Sequence, residues 1–307
     1  MIVNSWHSVV DFRLNLGISD QLQDIIFVIK SKYEVEDSIS KSKLLNKVLP
    51  GIFKNDDKLY EKVEEICRYV PYRLLAPFYP EIVGEKDYKK NDLIKELSQK
   101  DRRAIYKIEK DKVKINSNWY DYIKNNLVII LGWFKNKLIE FLQSRNPNVP
   151  SIPYKISPTK NRNLRYARKY WKSIISRGAI KEIYGRRKID AESDYAIDHF
   201  IPWSFVMHDK LWNLNPTLNS YNSKKRDMIP DLDIYLDRFC ELQYKSLIRA
   251  IKSENISDKI LEDYLEVKED FKFDTLPEED HFKDSLKETL TPLYQIAKNQ
   301  GFRKWRL

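Results

Sequence analysis

Four polar positions in the stretch Tyr195–Pro230 (YAIDHFIPWSFVMHDKLWNLNPTLNSYNSKKRDMIP) are spaced unlike those of an ordinary packed segment. Asp198 and His199 are adjacent, Asn213 lies 14 residues beyond the histidine, and Asn222 lies 23 beyond it and opens a run with Lys224, Lys225 and Arg226. Neighbouring side chains of a strand point to opposite faces, so Asp198 and His199 serve one site only if the strand ends or twists there. Pro202, three residues on, favours such an ending. Just upstream, between Lys155 and Lys188, twelve lysines and arginines accompany a single acid, Glu182. That window nets +11, so the rest of a chain whose total is +10 nets −1. A strip this basic, interleaved with Tyr166, Tyr170 and Trp171, suits a polyanion whose phosphates release counterions on binding. The aromatics would pack inward or stack on bases. Nucleic acid is the natural candidate, and a merely solvated helix face is the bland alternative.

The order Asp-His, Asn, Asn-x-x-Lys resembles that of the HNH endonucleases, whose site is a two-stranded hairpin and a helix gripping one divalent metal. In spacing it is similar to the target-strand-cutting HNH domain of RNA-guided CRISPR effectors. The phrases DHFIPWSF (Asp198–Phe205) and LWNL (Leu211–Leu214) resemble bacterial HNH proteins, many of them in restriction or anti-phage loci. The resemblance covers about Lys181–Pro230; the amino-terminal helices match only in general character and order.

Residue by residue, the resemblance implies that His199 is the general base taking a proton from the attacking water, since imidazole titrates near working pH. It implies Asp198 and Asn222 as metal ligands, Asn222 standing where other members use histidine, with water and phosphate completing the shell of Mg²⁺ or Mn²⁺. Asn213 corresponds to the central asparagine that braces the histidine loop. Lys225, with Lys224 as understudy, falls where the family neutralises charge on the phosphate, and the metal would stabilise the departing 3′ oxygen. Lys160, Arg162, Arg165, Arg168, Lys169, Lys172, Arg186, Arg187, Lys188 and Lys224 would contact nucleic acid along the strip and the run after Asn222. Many relatives add two Cys-x-x-Cys pairs that hold a structural zinc. Here Tyr184–Arg187 and Leu218–Tyr221 occupy those places, so no structural zinc is expected, and packing through Trp203, Phe205 and Trp212 must hold the module instead.

The function so implied is metal-dependent hydrolysis of DNA, leaving 5′ phosphates, in restriction or anti-phage defence. Two alternatives stay open: an HNH ribonuclease, cutting tRNA for example, gated by a partner, and a module that binds nucleic acid without cutting. A regulatory partner such as a defence ATPase or sensor, gating the enzyme through the amino-terminal helices, is an expectation because a free nuclease is toxic; the sequence shows no P-loop of its own. A homo-oligomer is another, because two single-metal sites are needed to cut both strands together. Taken alone, Asn213 and Asn222 are also good helix caps. Asp209 reads as a helix cap beside a peripheral His208, and His7 and His281 have no companions in the sequence.

The elements that must position these residues read as mainly α with a small ββα-metal (HNH) module, α+β overall. The expected layout is a helical amino-terminal domain for target or partner recognition (1–150), a basic connecting helix (151–180), the HNH core (181–232) and a carboxy-terminal helical region (233–307). Asn146, Pro147, Pro150, Pro153 and Pro158 mark the first boundary, because each proline removes a backbone donor and turns its predecessor from helical geometry. Apolar spacing at Leu22, Ile25, Ile26 and Ile29, and at Leu44, Leu45, Val48 and Leu49, predicts buried helix faces. Trp119–Leu142 is the longest helical candidate, expected to anchor the amino-terminal domain with its aromatics in the core. Gly185 is expected to turn a short hairpin within Lys181–Ile189. Cys67 and Cys240 are too few for a disulfide framework and read as buried small hydrophobes. No segment reads as a secretory signal or a membrane span, so a cytoplasmic location is expected.

Overall fold

Apolar residues at helical spacing build the amino-terminal of two units, Met1–Asn146 and Pro147–Leu307. The computed structural model describes residues 9–17, 21–35, 41–54, 57–110, 112–156, 163–253, 258–269, 271 and 276–307. In the first unit, α1 (Leu22–Lys32) buries Ile25, Ile26 and Ile29 in one cluster with Leu44 and Val48 of α2 (Lys41–Lys54) and Leu59 of α3 (Asp57–Arg68). Leu22 and Leu45 are only half-buried, and the side chains of Leu49 and Cys67 lie outside the described residues. The proline-rich stretch forms α4 (Val70–Leu75) and two 3-10 turns. Leu75, Tyr79 and Ile82 share a second cluster with Ile94 of α5 (Asp87–Lys100) and with Tyr106 and Ile108 of β1 (Tyr106–Ile108). β1 pairs antiparallel with β2 (Val113–Ile115), a hairpin hidden in a segment dominated by charge. Its signal is brief: Tyr106 and Ile108 point inward on either side of Lys107.

The long helix α6 runs over Ser117–Arg145, enclosing the expected span, but its side chains are not core. Leu142 is its one buried residue, and Tyr120, Tyr122, Trp133, Phe134 and Phe141 are exposed. The segment Leu127–Phe134 is apolar all round, so a helix lying on one surface leaves most of that circumference in solvent. Asn146 closes its end, donating from Nδ2 to the carbonyls of Leu142 and Asn15, both at 2.8 Å.

In the second unit, α7 (Ile152–Ile156) precedes α8 (Arg165–Ser176), and β3 (Ile180–Lys181) pairs antiparallel with β4 (Lys188–Ile189) around Gly185. Then come β5 (Tyr195–His199), the short helix α9 (Trp203–Val206), β6 (Leu214–Leu218), α10 (Asn219–Lys225) and β7 (Ile229–Pro230). Helices α11 (Leu232–Ile251), α12 (Asp258–Leu265) and α13 (Glu279–Asn299) lead to β8 (Lys304–Trp305), which lies parallel to β7. The segments 151–180, 181–232 and 233–307 share one core. Tyr170 and Trp171 of α8, Phe200 and Phe205 after β5, Phe239 and Cys240 of α11, Leu286 and Leu290 of α13, and Trp305 of β8 belong to a single cluster. Lys155, counted in the basic strip, is buried and donates to the Phe205 carbonyl, and burial brings its pKa down to about 7. Among the described residues no helix is long and apolar enough to cross a membrane.

Candidate active site

β5 and β6 pair antiparallel with His199 opposite Leu214 and Asp198 opposite Asn215, and α10 follows β6 directly. β5 ends at His199, where Pro202 starts α9, so the chain leaves the ladder at the histidine. Asp198 and His199, though neighbours on a strand, consequently line one cavity of about 370 Å³, together with Asn222 from α10. Arg168 of α8 and Arg226 and Asp227, just beyond α10, line it too.

Asp198 is buried and held from both sides. The Tyr184 hydroxyl donates to its Oδ2 at 2.6 Å, and the Lys225 ammonium donates to its Oδ1 at 3.1 Å and to the His199 carbonyl at 2.6 Å. Burial, reinforced by the Asp198 charge, pushes the Tyr184 phenol well above its ordinary pKa, so it stays a donor. Lys225 has no exposed surface. Its expected place on a phosphate is therefore corrected: the ammonium is spent orienting Asp198 and the histidine backbone. Exposed Lys224 and Arg226 are the cations of this run that solvent reaches.

His199 is buried, and its Nε2 meets Asp209 Oδ1 at 2.8 Å. Asp209 is thus not the helix cap suggested by its sequence position. Its other carboxylate oxygen accepts from the Asn163 amide at 3.2 Å. Asn213, fully buried, grips the loop after the histidine at one residue, through both its flanking peptides: its Oδ1 accepts from Ile201 N at 2.8 Å and its Nδ2 donates to Ile201 O at 2.9 Å. The carboxy-terminal helices secure that loop. Asp263 accepts from Leu211 N at 2.9 Å, and Gln243 donates to the Leu214 carbonyl at 2.6 Å while accepting from the Tyr264 hydroxyl. His208 packs on Trp212 with centroids 5.0 Å apart, and burial, then the neighbouring His199, lowers its pKa to about 4.

The β3–β4 turn is organised by the one acid of the basic strip. Buried Glu182 accepts from the amides of Tyr184 (2.7 Å) and Arg187 (3.0 Å). Gly185 lets Tyr221 of α10 lie against this hairpin, since a Cβ there would stand 2.6 Å from the Tyr221 hydroxyl. Tyr184 in turn packs edge-on against Tyr235 and Trp305. Phe205 and Trp212 are in the core, while Trp203 is half-buried and lines the cavity.

Residues 182–231 match the family model described as HNH endonuclease. This segment belongs to the HNH endonuclease family. No curated protein and no solved structure matches the chain. The HNH segment thus begins at the turn acid Glu182 and ends at Asp231, which caps α11. Membership implies a nuclease module whose ligand is nucleic acid.

Of the basic residues expected to contact nucleic acid, Arg165, Arg168, Lys169 and Lys172 form the exposed face of α8, opposite buried Ala167, Tyr170, Trp171, Ile174 and Ile175. Arg168 reaches the HNH cavity. Arg186, Arg187 and Lys188 are exposed on the β3–β4 hairpin, with Arg186 lining a separate cavity beside Arg238 and Arg249. Lys160 and Arg162 lie outside the described residues, as does His7.

Among the described residues no three His, Cys, Asp or Glu side chains gather as metal ligands. The donors present still fit a hard, largely hydrated cation. A carboxylate offers about four lone-pair sites, of which Asp198 uses two, and Asn222 adds an amide oxygen on the same cavity. Asn215, the cross-strand neighbour of Asp198, has a buried Oδ1 without a hydrogen-bond partner among the described residues. The ladder around the carboxylate therefore keeps spare acceptor capacity. Sequence reasoning missed Asp209, Tyr184 and Glu182 as site-building residues. Their partners lie 10, 14 and 2–5 positions away, at spacings that no helical or strand periodicity marks.

Proposed function

We propose that this chain is an endonuclease that uses Mg²⁺ or Mn²⁺ to hydrolyse phosphodiester bonds in DNA, leaving 5′ phosphates, in restriction or anti-phage defence. The observation that carries the reading is one cavity lined jointly by Asp198, His199 and Asn222, with Arg168 and Arg226 alongside. With Nε2 donating to Asp209, Nδ1 of His199 keeps a lone pair for the proton of the attacking water. Asp209 then stabilises the imidazolium that forms, as a carboxylate behind a catalytic histidine does. Asp198 and Asn222 would hold the ion, which when bound offsets charge on the phosphate and on the departing 3′ oxygen. Tyr184 and Lys225 fix the carboxylate so that little reorganisation is needed as charge develops. Arg168 and Arg226 draw the phosphate in, and the exposed face of α8 extends that attraction along the backbone.

The test is incubation of the purified chain with supercoiled plasmid and Mg²⁺. The parent nicks the plasmid, and nicking stops with a chelator or in His199→Ala; equal nicking by parent and variant rejects the assigned base. RNA offered in competition separates the DNA reading from the ribonuclease reading.

A further inference from the structure

Helix α6 carries a pattern that the nuclease chemistry does not use. Tyr120, Lys124, Leu127, Leu131, Phe134, Leu138, Phe141 and Arg145 follow one another at alternating steps of four and three. That is a 3.5-residue period, which keeps a seam facing a second helix, and it is sustained here over the length of the element. The six apolar members are 43–57% exposed. At 1.5 Å per residue, the stretch from Tyr120 to Arg145 makes a seam about 38 Å long.

We propose that this seam docks on the same seam of a second copy of the chain, with the two helices antiparallel. The charges decide the orientation. In a parallel pair each seam residue meets its own counterpart, setting Lys124 against Lys124 and Arg145 against Arg145, and like charges facing each other repel. In an antiparallel pair centred between Leu131 and Phe134, Leu131 meets Phe134 of the second copy and Leu127 meets Leu138. Lys124 then meets Phe141, and Arg145 meets Tyr120, so both end layers become cation–aromatic contacts. Arg145 already lies 5.6 Å from the centroid of its own Phe141 ring, along the seam. The area suffices. Six half-exposed side chains of about 150–250 Å² each offer roughly 600 Å² per copy, or about 1,200 Å² per pair, which reaches the lower bound of roughly 1,200 Å² for a stable interface. Ile123, Val128 and Ile130 flank the seam and add to this.

Self-association needs no nucleic acid and no catalysis, so it is tested on the full chain alone. Sedimentation equilibrium should give twice the 36.8 kDa chain mass at micromolar concentration. Leu131→Glu and Phe134→Glu should each raise the dimer dissociation constant by at least about tenfold, because each sets two carboxylates into the central layers. Both residues are exposed within the chain, so unchanged circular dichroism is expected for either variant. Ile129→Glu, at a position 71% exposed but off the seam, should leave the dimer intact. In a Cys67→Ser background, oxidation should cross-link a mixture of Tyr120→Cys and Arg145→Cys chains, and neither chain alone. A parent that is monomeric at all concentrations overturns the proposal. So does an Ile129→Glu effect as large as that of Leu131→Glu, and self-cross-linking of Tyr120→Cys overturns the antiparallel arrangement.

Discussion

Replacing Lys225 by methionine keeps most of the side-chain volume and removes only the ammonium, so it measures what that charge does. The ammonium and the Asp198 carboxylate are 3.1 Å apart with side chains 0% and 4% exposed, and the same nitrogen donates to the His199 carbonyl at 2.6 Å. Breaking a buried ion pair by deleting one partner costs about 3–5 kcal/mol, because the remaining charge has neither water nor a counterion. The orphaned carbonyl is part of that cost rather than a separate addition. A loss of about 4 kcal/mol is a large share of the roughly 5–15 kcal/mol that holds a domain together. Asp198→Asn in the same chain removes the stranded charge while its amide oxygen still accepts from Tyr184. The double variant should therefore be more stable than the sum of the two single losses by about 2–3 kcal/mol, in the range of coupling energies between directly contacting residues. Urea unfolding followed by tryptophan fluorescence measures all four corners of this cycle. A Lys225→Met cost below about 1 kcal/mol, or simple additivity, would refute the assignment of Lys225 as the counterion of Asp198.

Three further outcomes are expected. Asp209→Asn keeps the shape beside His199 but removes its anion, and plasmid nicking should fall by about 10–100-fold, as for other groups that orient a functional histidine; an unchanged rate removes Asp209 from the mechanism. Burial, then the His199 charge, lowers the His208 pKa from 6.5 to about 4, so the unfolded chain takes up this proton first as pH falls. The associated stability is complete above pH 6.5 and is lost on descent towards pH 4. It is worth on the order of 3 kcal/mol, so melting of His208→Gln should be less acid-sensitive than the parent's across that window, and parallel curves would contradict it. Arg168→Ala should reduce the slope of log binding constant against log salt by about one, and an unchanged slope would take Arg168 off the nucleic-acid path.

The elements that carry the site are legible in the sequence because their signals are local. Asp198, His199, Asn213 and Asn222 stand in one register, and the amphipathic α8 is marked by cations at steps of three and four. What is illegible depends on partners brought together by folding. Lys225 reads as a phosphate ligand until its burial against Asp198 is seen, and Asp209 reads as a cap until the loop returns it to His199. The hydrophobicity of α6 predicts a helix correctly and its burial wrongly, because composition says how apolar a surface is but not what covers it. Likewise the tail after α13 shows only basic and aromatic residues, with nothing to announce a parallel pairing with β7.

That tail gives the molecule an order of assembly. Arg306 and Lys304 hold the Asp231 carboxylate, overcoming the upward push of burial on its pKa, and Trp305 packs on Tyr184, whose hydroxyl holds Asp198. Arg306 lies 75 positions downstream of Asp231. At translation rates of about 5–20 residues per second, a ribosome needs several seconds to get from one to the other. During that interval the nascent chain already holds every residue of the HNH segment but not the strand that closes behind it. The grip on Asp198 is completed only once β8 has been made, and a product truncated before β8 would carry the whole motif without the support that sets it.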